Sequence, residues 1–296
     1  MSNCDICPRQ CGANRDIERG YCGADSSIRI ARAAKHMWEE PIICGKGGSG
    51  TIFFSGCSLG CEFCQNALLS HENYGTKVTV DRLYEIMFEL ESQGAVNINL
   101  VTADHYIPYI IPALKSAKDD GLKIPLLLNT SSYLKIPTLK MLDGIIDIYL
   151  ADLKFTSRDA AMKYCSAPDY PKIARTAIEH MVKTSNNPII ENGIMKKGVI
   201  VRVLVLPGNI IDAKASIKYL YTKYGDDIYI SIMGQYVPMP GCSHHELQHE
   251  LSAKMYKSVV RYASGLGIKN GFIQDLNSAD RCYIPEFNCQ GVKKSC

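Results

Sequence analysis

Six short apolar runs, at residues 51–54, 97–102, 125–130, 145–153, 199–206 and 228–233, recur along the chain, each bounded by turn or helix signals. Strands that alternate with helices build right-handed βαβ units, and such units force a parallel sheet whose site lies at the carboxyl ends of the strands. Six of them predict an α/β chain: a partial parallel (β/α)6 TIM-like barrel, open at one side, behind a small cysteine-rich N-terminal head. Helical spacing is clearest at Leu83, Ile86, Met87 and Leu90, with Thr79 as N-cap and Asp81 in the first turn. The chain's 296 residues, 46% of them hydrophobic, supply a core for a single barrel or two modest domains. The reading divides the chain into a metal-binding head at 1–46, a barrel at 47–265 and a C-terminal extension at 266–296 that packs on the barrel.

The first strand, Thr51-Ile52-Phe53-Phe54, delivers a dense run at its carboxyl end: Ser55-Gly56-Cys57-Ser58-Leu59-Gly60-Cys61-Glu62-Phe63-Cys64-Gln65-Asn66. Iron–sulfur cubes are held by cysteine thiolates, one per iron, so Cys57, Cys61 and Cys64 leave one iron of a 4Fe–4S cluster with an exchangeable position. A zinc knuckle shows paired CxxC and a nearby fourth ligand; here only His71 follows at any closeness. The glycines at 45–50 precede a strand instead of joining strand to helix, and no Gly-Lys-Ser/Thr follows, so they read as a joint and not as a phosphate loop.

Formal net charge is +3, from 33 basic and 30 acidic side chains, with no like-charge block beyond Lys293-Lys294. Neither a nucleic-acid nor a membrane surface is expected. The start, Met1-Ser2-Asn3-Cys4, lacks a signal-peptide pattern and no apolar stretch has transmembrane length, which predicts a cytoplasmic protein. Thirteen cysteines then point to metal or redox-cofactor duty instead of disulfides.

Polar residues just past the strands are the candidate binding groups. Thr102 and Asp104 follow the second strand and Asn129 ends the third, while Asp152 and Lys154 share a face at the end of the fourth. An acid there suits ribose hydroxyls and a lysine suits a carboxylate; the plainer reading of the pair is a strand-end salt bridge. Arg202 sits inside an apolar strand, where an unpaired guanidinium is costly, so it needs a cofactor carboxylate or Asp152. Tyr106 and Tyr236 at strand ends are candidates for contact with an adenine or a substrate.

The CxxxCxxC run, with Phe63 before its last cysteine, resembles the signature of the radical S-adenosylmethionine superfamily. His36-Met37-Trp38-Glu39-Glu40-Pro41, the run from Gly50 to Cys57, Phe63-Cys64-Gln65-Asn66, Asp152-Leu153-Lys154, Leu204-Val205-Leu206-Pro207-Gly208-Asn209 and Gln235-Tyr236 are similar, across nearly the whole chain, to pyruvate formate-lyase activating enzyme-like proteins. The resemblance implies S-adenosylmethionine on the open iron, and reductive cleavage to methionine and a 5′-deoxyadenosyl radical that abstracts hydrogen. It implies a flavodoxin or ferredoxin as electron donor and a glycyl radical enzyme as protein substrate; another peptide or a small metabolite is the alternative, and a non-enzymatic metal-binding module a further one. By position it puts Thr102 and Asp104 at the methionine amino group, where the family's Gly-Gly-Glu is absent here. It places Asn129, Asp152, Lys154 and Arg202 among the other cofactor-binding groups, with the family's usual acid missing at Asn129. The eight-cysteine insert of several activating enzymes is absent as well.

In its place the head carries Cys4, Cys7, Cys11 and Cys22, a Cx2Cx3Cx10C set that suits structural zinc or an auxiliary iron–sulfur cluster. Cys282, Cys289 and Cys296 recur in the tail, with no duty expected. Cys242, His244, His245 and His249 read as the entry to a helix with Leu247, Leu251, Met255 and Val259 on its core face, and not as a zinc site.

Overall fold

In the computed structural model, which describes residues 4–279 and 283–294, the residues from 4 to 28 form turns, and the first regular element is β1 (Arg29–His36). A single turn, α1 (Pro41–Cys44), leads to β2 (Ser49–Phe54), which carries the cysteine run, and α2 (Ala67–Ser70) and β3 (Thr76–Lys77) follow. From there strand and helix alternate: α3 (Val80–Ser92), β4 (Ile98–Val101), α4 (Ile107–Asp119), β5 (Leu126–Thr130), α5 (Ile136–Lys140) and β6 (Ile148–Asp152). Helices α6 (Arg158–Cys165) and α7 (Tyr170–Ser185) precede a hairpin of β7 (Ile189–Glu191) and the long β8 (Ile194–Leu204). The series ends with α8 (Ile210–Tyr224), β9 (Tyr229–Met233), α9 (Ala253–Gly265) and β10 (Gly271–Ile273).

Hydrogen bonding orders the sheet β10-β9-β8-β6-β5-β4-β2-β1-β3, with β7 attached to β8. All pairs from β10 to β2 are parallel, whereas β1 joins β2, and β3 joins β1, antiparallel. The six predicted strands are all present in the predicted order. The sheet is open, β10 and β3 being its two ends. Four strands exceed the expectation: β10 extends the parallel series, β7 pairs antiparallel with β8, and β1 from the head covers the β2 edge with β3 beyond it.

Central strands β4 and β5 are mostly apolar because both faces are covered, with Asn99 the polar exception inside β4; Ile98, Leu100, Leu126 and Leu128 are fully buried. Helix α3 forms as its spacing predicts, with Thr79 Oγ1 accepting from the Arg82 amide at 3.0 Å and Leu83, Ile86, Met87 and Leu90 buried. The expected helix entry at His245 is corrected. His245–Gln248 is one 3₁₀ turn, and α9 begins only at Ala253, where Ser252 caps it and Met255 turns out to solvent. A serine side chain that accepts the Met255 amide starts a helix better than a histidine, which lacks a short oxygen acceptor.

The tail returns across β1. The Cys289 amide donates to Ala31 O at 2.9 Å and the Ala33 amide to Gln290 O at 2.8 Å. Arg82 donates to the carbonyls of Gly291 and Val292. Cys282 and Cys296 lie outside the described residues. None of the described helices is long and apolar enough to cross a membrane.

Candidate active site

The carboxyl ends of the parallel strands open into one cavity of about 540 Å³, a size suited to a cofactor-sized ligand. Its lining includes Cys57, Cys61 and Cys64 after β2, Thr102 after β4, Asn129, Thr130 and Ser131 at β5, Asp152 and Lys154 at β6, Arg202 and Leu204 on β8, and Gln235 after β9.

The cysteine loop is held from below. Gly56 has φ +87°, and a Cβ there would meet Cys22 O at 2.5 Å, so glycine is required for the chain to pass. The Cys57 amide donates to Cys22 O at 3.1 Å and the Gly56 amide to Leu69 O at 2.8 Å. His105 Nε2 lies 2.9 Å from Ser55 O, which only accepts, so that nitrogen carries the proton. Burial drives the His105 pKa down to about 3, and the ring is neutral. Burial, with the neighbouring thiols, pushes Cys57 up to about 12, and burial raises Cys64. Cys61 is raised well above the ordinary thiol value by its contact with Cys165 and by burial. Without a metal to take the charge, this pocket favours neutral thiols; thiophilic metal binding would release their protons. Among the described residues no three His, Cys, Asp or Glu side chains close around a single ion as they stand. A cubane is wider than one ion, and three soft thiolates that share one cavity wall are the donor set it takes.

Lys154 Nζ donates to Asp152 Oδ2 at 2.6 Å, and both line the cavity. Burial works against the charge on Lys154, but Asp152, with Cys61 and Tyr170 beside it, outweighs that and holds its pKa well above the ordinary value. The strand-end salt bridge therefore lies in the cavity lining. Thr102 lines the cavity with φ +59°, a conformation that glycine adopts without strain.

Arg202 lines the cavity but pairs with other acids than Asp152. Its Nε donates to Glu40 Oε1 at 2.8 Å and its Nη2 to Glu40 Oε2 at 2.5 Å, while Nη2 also reaches Glu39. Asn99 Nδ2 holds the other Glu39 oxygen at 2.9 Å. Burial works against ionisation of Glu40, but the Arg202 charge overcomes it and keeps that pKa low. The physical reason is proximity: the 37–40 loop folds over the end of β8, and two carboxylates outcompete Asp152, which Lys154 already holds. Sequence reasoning missed this pair, although two adjacent acids before Pro41 at the end of a head segment were the available signal.

Asp104 is also displaced from the expected role, because the 3₁₀ turn at Asp104–Tyr106 folds it under the floor. Its Oδ2 accepts from Thr130 Oγ1 at 2.9 Å and Ser131 Oγ at 3.3 Å, while Oδ1 is buried without a partner. Burial pushes its pKa up to about 7. Tyr106 and Tyr236 are buried away from the cavity; the Tyr236 hydroxyl donates to Leu247 O. His244 Nε2 reaches Lys163 O at 3.0 Å, and His245 and His249 pack ring to ring at 5.1 Å, all away from the lining.

Trp38 and Tyr283 meet edge to face at 4.9 Å, so the head loop and the tail together cross the cavity rim. Below them Gln274 Nε2 donates to Gln235 Oε1 at 2.7 Å and Gln65 Nε2 to Gln235 O at 2.7 Å. In the head, Arg9 donates to Ser58 O and Leu59 O, both at 2.9 Å, and to Cys165 O at 2.8 Å. Its link to the cysteine loop was not visible in the sequence.

A protein-family model described as a 4Fe-4S single cluster domain matches residues 43–109, the stretch that contains Cys57, Cys61 and Cys64. Among solved structures, SuiB from Streptococcus suis bound to its precursor peptide SuiA superposes with a TM-score of 0.54 at 13% identity, over 75% of this chain and 48% of that one. The chain therefore shares the fold of SuiB. SuiB bound to S-adenosylmethionine matches with a TM-score of 0.53 at 14% identity, over 75% of this chain and 49% of that one. The chain thus spans about half the length of these solved structures. A curated protein of Methanocaldococcus jannaschii, described as uncharacterized, is 27% identical over 268 residues, covering 88% of this chain and 70% of its own.

Proposed function

We propose that this chain is a radical S-adenosylmethionine enzyme. Cys57, Cys61 and Cys64 would hold a 4Fe–4S cluster, and the remaining iron would take the amino and carboxylate groups of S-adenosylmethionine. Once bound and reduced, the cofactor pair supplies a 5′-deoxyadenosyl radical for hydrogen abstraction; the chain's own tasks are to orient, enclose and keep the cavity dry. Lys154 offers a cation for the methionine carboxylate, and Asp152 and Asn129 offer partners for the ribose. Thr102 brings main-chain groups close to the methionine end, while Asp104 acts through Thr130 and Ser131 instead of touching the ligand. Arg202 holds the Glu39–Glu40 loop at the far wall. The reading rests on one observation above all: three thiols inside the matched 4Fe-4S stretch open into the cavity at the carboxyl ends of the parallel strands.

A flavodoxin- or ferredoxin-type donor would supply the electron. The acceptor would be a glycine-bearing protein loop, as in activating enzymes, or a small molecule. The Trp38–Tyr283 contact across the rim favours an acceptor narrow enough to pass beside it.

We also propose that the head binds a thiophilic metal, zinc or iron–sulfur, through Cys4, Cys7, Cys11 and Cys22. Cys4 and Cys11 are hydrogen-bond neighbours, and the Cys11 and Cys22 sulfurs lie 3.2 and 3.7 Å from where a Cβ on Gly20 would stand. Among its described residues, from Cys4 to Ile28, the segment has no helix or strand, so a metal bridge is a physical means of ordering it. Such a metal would brace the cluster loop through Arg9 and the Cys22 carbonyl.

The test is anaerobic reconstitution, then dithionite and S-adenosylmethionine, with 5′-deoxyadenosine measured chromatographically. The wild type is expected to form it, and a Cys57→Ala, Cys61→Ala, Cys64→Ala variant is expected to form none. Equal yields from both proteins would refute the assignment.

A further inference from the structure

Cys165, the last residue of α6, lies with its Sγ 3.2 Å from the Cys61 Sγ, and both residues are buried. Two sulfurs so close, 104 positions apart in sequence, are in hydrogen-bonding contact. The position is fixed on both sides. The Glu62 amide donates to Tyr164 O at 3.0 Å, which ties the cluster loop to the end of α6. Arg9 bridges Leu59 O and Cys165 O through a single nitrogen. Upstream, the Ser157 side chain caps α6, while Asp212 accepts from the Thr156 amide at 3.0 Å and the Ser157 amide at 2.7 Å. Phe63, Phe155 and Tyr164 pack together alongside, with Phe155 and Tyr164 stacked at 5.6 Å.

We infer that Cys165 is a positioning residue for the cluster: its thiol donates an S–H hydrogen bond to the Cys61 thiolate once that sulfur ligates iron. The inference rests on the cluster assignment proposed above. Hydrogen bonds to ligand sulfurs draw electron density from the cluster and set its reduction potential. A donor here stabilises the reduced, more negative state and raises the potential, easing electron entry from the protein donor. Cys165 is not itself counted as a ligand, since Cys57, Cys61 and Cys64 line the cavity and Cys165 does not.

The test compares wild type, Cys165→Ala and Cys165→Ser after anaerobic reconstitution, reading iron content and the midpoint potential by electron paramagnetic resonance titration. If wild type takes up no iron, the cluster assignment fails before this inference is reached. With iron bound, Cys165→Ala is expected to keep its iron content and to titrate at a more negative potential, with Cys165→Ser, whose hydroxyl still donates, between the two. Should Cys165→Ala lose the cluster, Cys165→Ser is expected to restore it with a potential near wild type. An unchanged potential in an iron-replete Cys165→Ala overturns the inference. So does a Cys165→Ser variant that behaves as Cys165→Ala in both readings.

Discussion

At the scale of single residues, the site is governed by how buried charges find partners. Asp104 is the clearest case, because burial raises its folded pKa from 3.8 to about 7. The folded protein therefore holds a proton that the unfolded chain releases near 3.8. The sign follows: stability from this group is complete below about 3.8, falls as pH rises, and is gone above about 7. The effect is on the order of a few kcal/mol. Asp104→Asn stays neutral and escapes the decline, so its thermal midpoint should gain on wild type between pH 4.5 and pH 8; a pH-independent difference would refute the raised pKa. Asp152 and Lys154 were legible as a pair because residues two apart on a strand share a face. The Arg202 partners were not, since Glu40 is 162 positions away and nothing local forecasts the fold of the 37–40 loop. Cys165 was hidden for the same reason.

Elements carry the next level of constraint. Thr79 and the spacing of Leu83, Ile86, Met87 and Leu90 specified α3 because capping and amphipathicity are local. The six strands were legible for the same reason. The tail on top of β1 was not, because its bonds to Ala31 and Ala33 close over more than two hundred residues. Gly291 shows how tightly that tail is seated: its φ is +70°, and a Cβ would lie 2.0 Å from Ala33 O. Gly94 has a similar φ of +81° with nothing within 4 Å of a Cβ. Gly291→Ala should therefore cost more than Gly94→Ala, for which strain alone is about 1–3 kcal/mol. Its tail should also be cut faster in limited proteolysis, whereas equal behaviour of the two variants would mean that the tail does not dock on β1.

Across the whole molecule, the head, the open sheet and the tail converge on one rim. The Cys22 carbonyl supports Cys57, Trp38 meets Tyr283, and Arg9 ties the head to the cluster loop and α6. The sheet positions cysteines and polar side chains at one end, and the added segments narrow access to them. The general architecture was legible from alternating patterns, since a parallel sheet has only one end at which such residues collect. How the head and tail enclose that end depended on contacts distant in sequence. The central claim is that three thiolates leave one iron open to a sulfonium ligand. The most direct test is the electron paramagnetic resonance spectrum of the dithionite-reduced, reconstituted protein, recorded with and without S-adenosylmethionine. A change in the cluster's g-values and line shape on addition is the predicted result; a cluster signal that is identical in both samples would contradict the account.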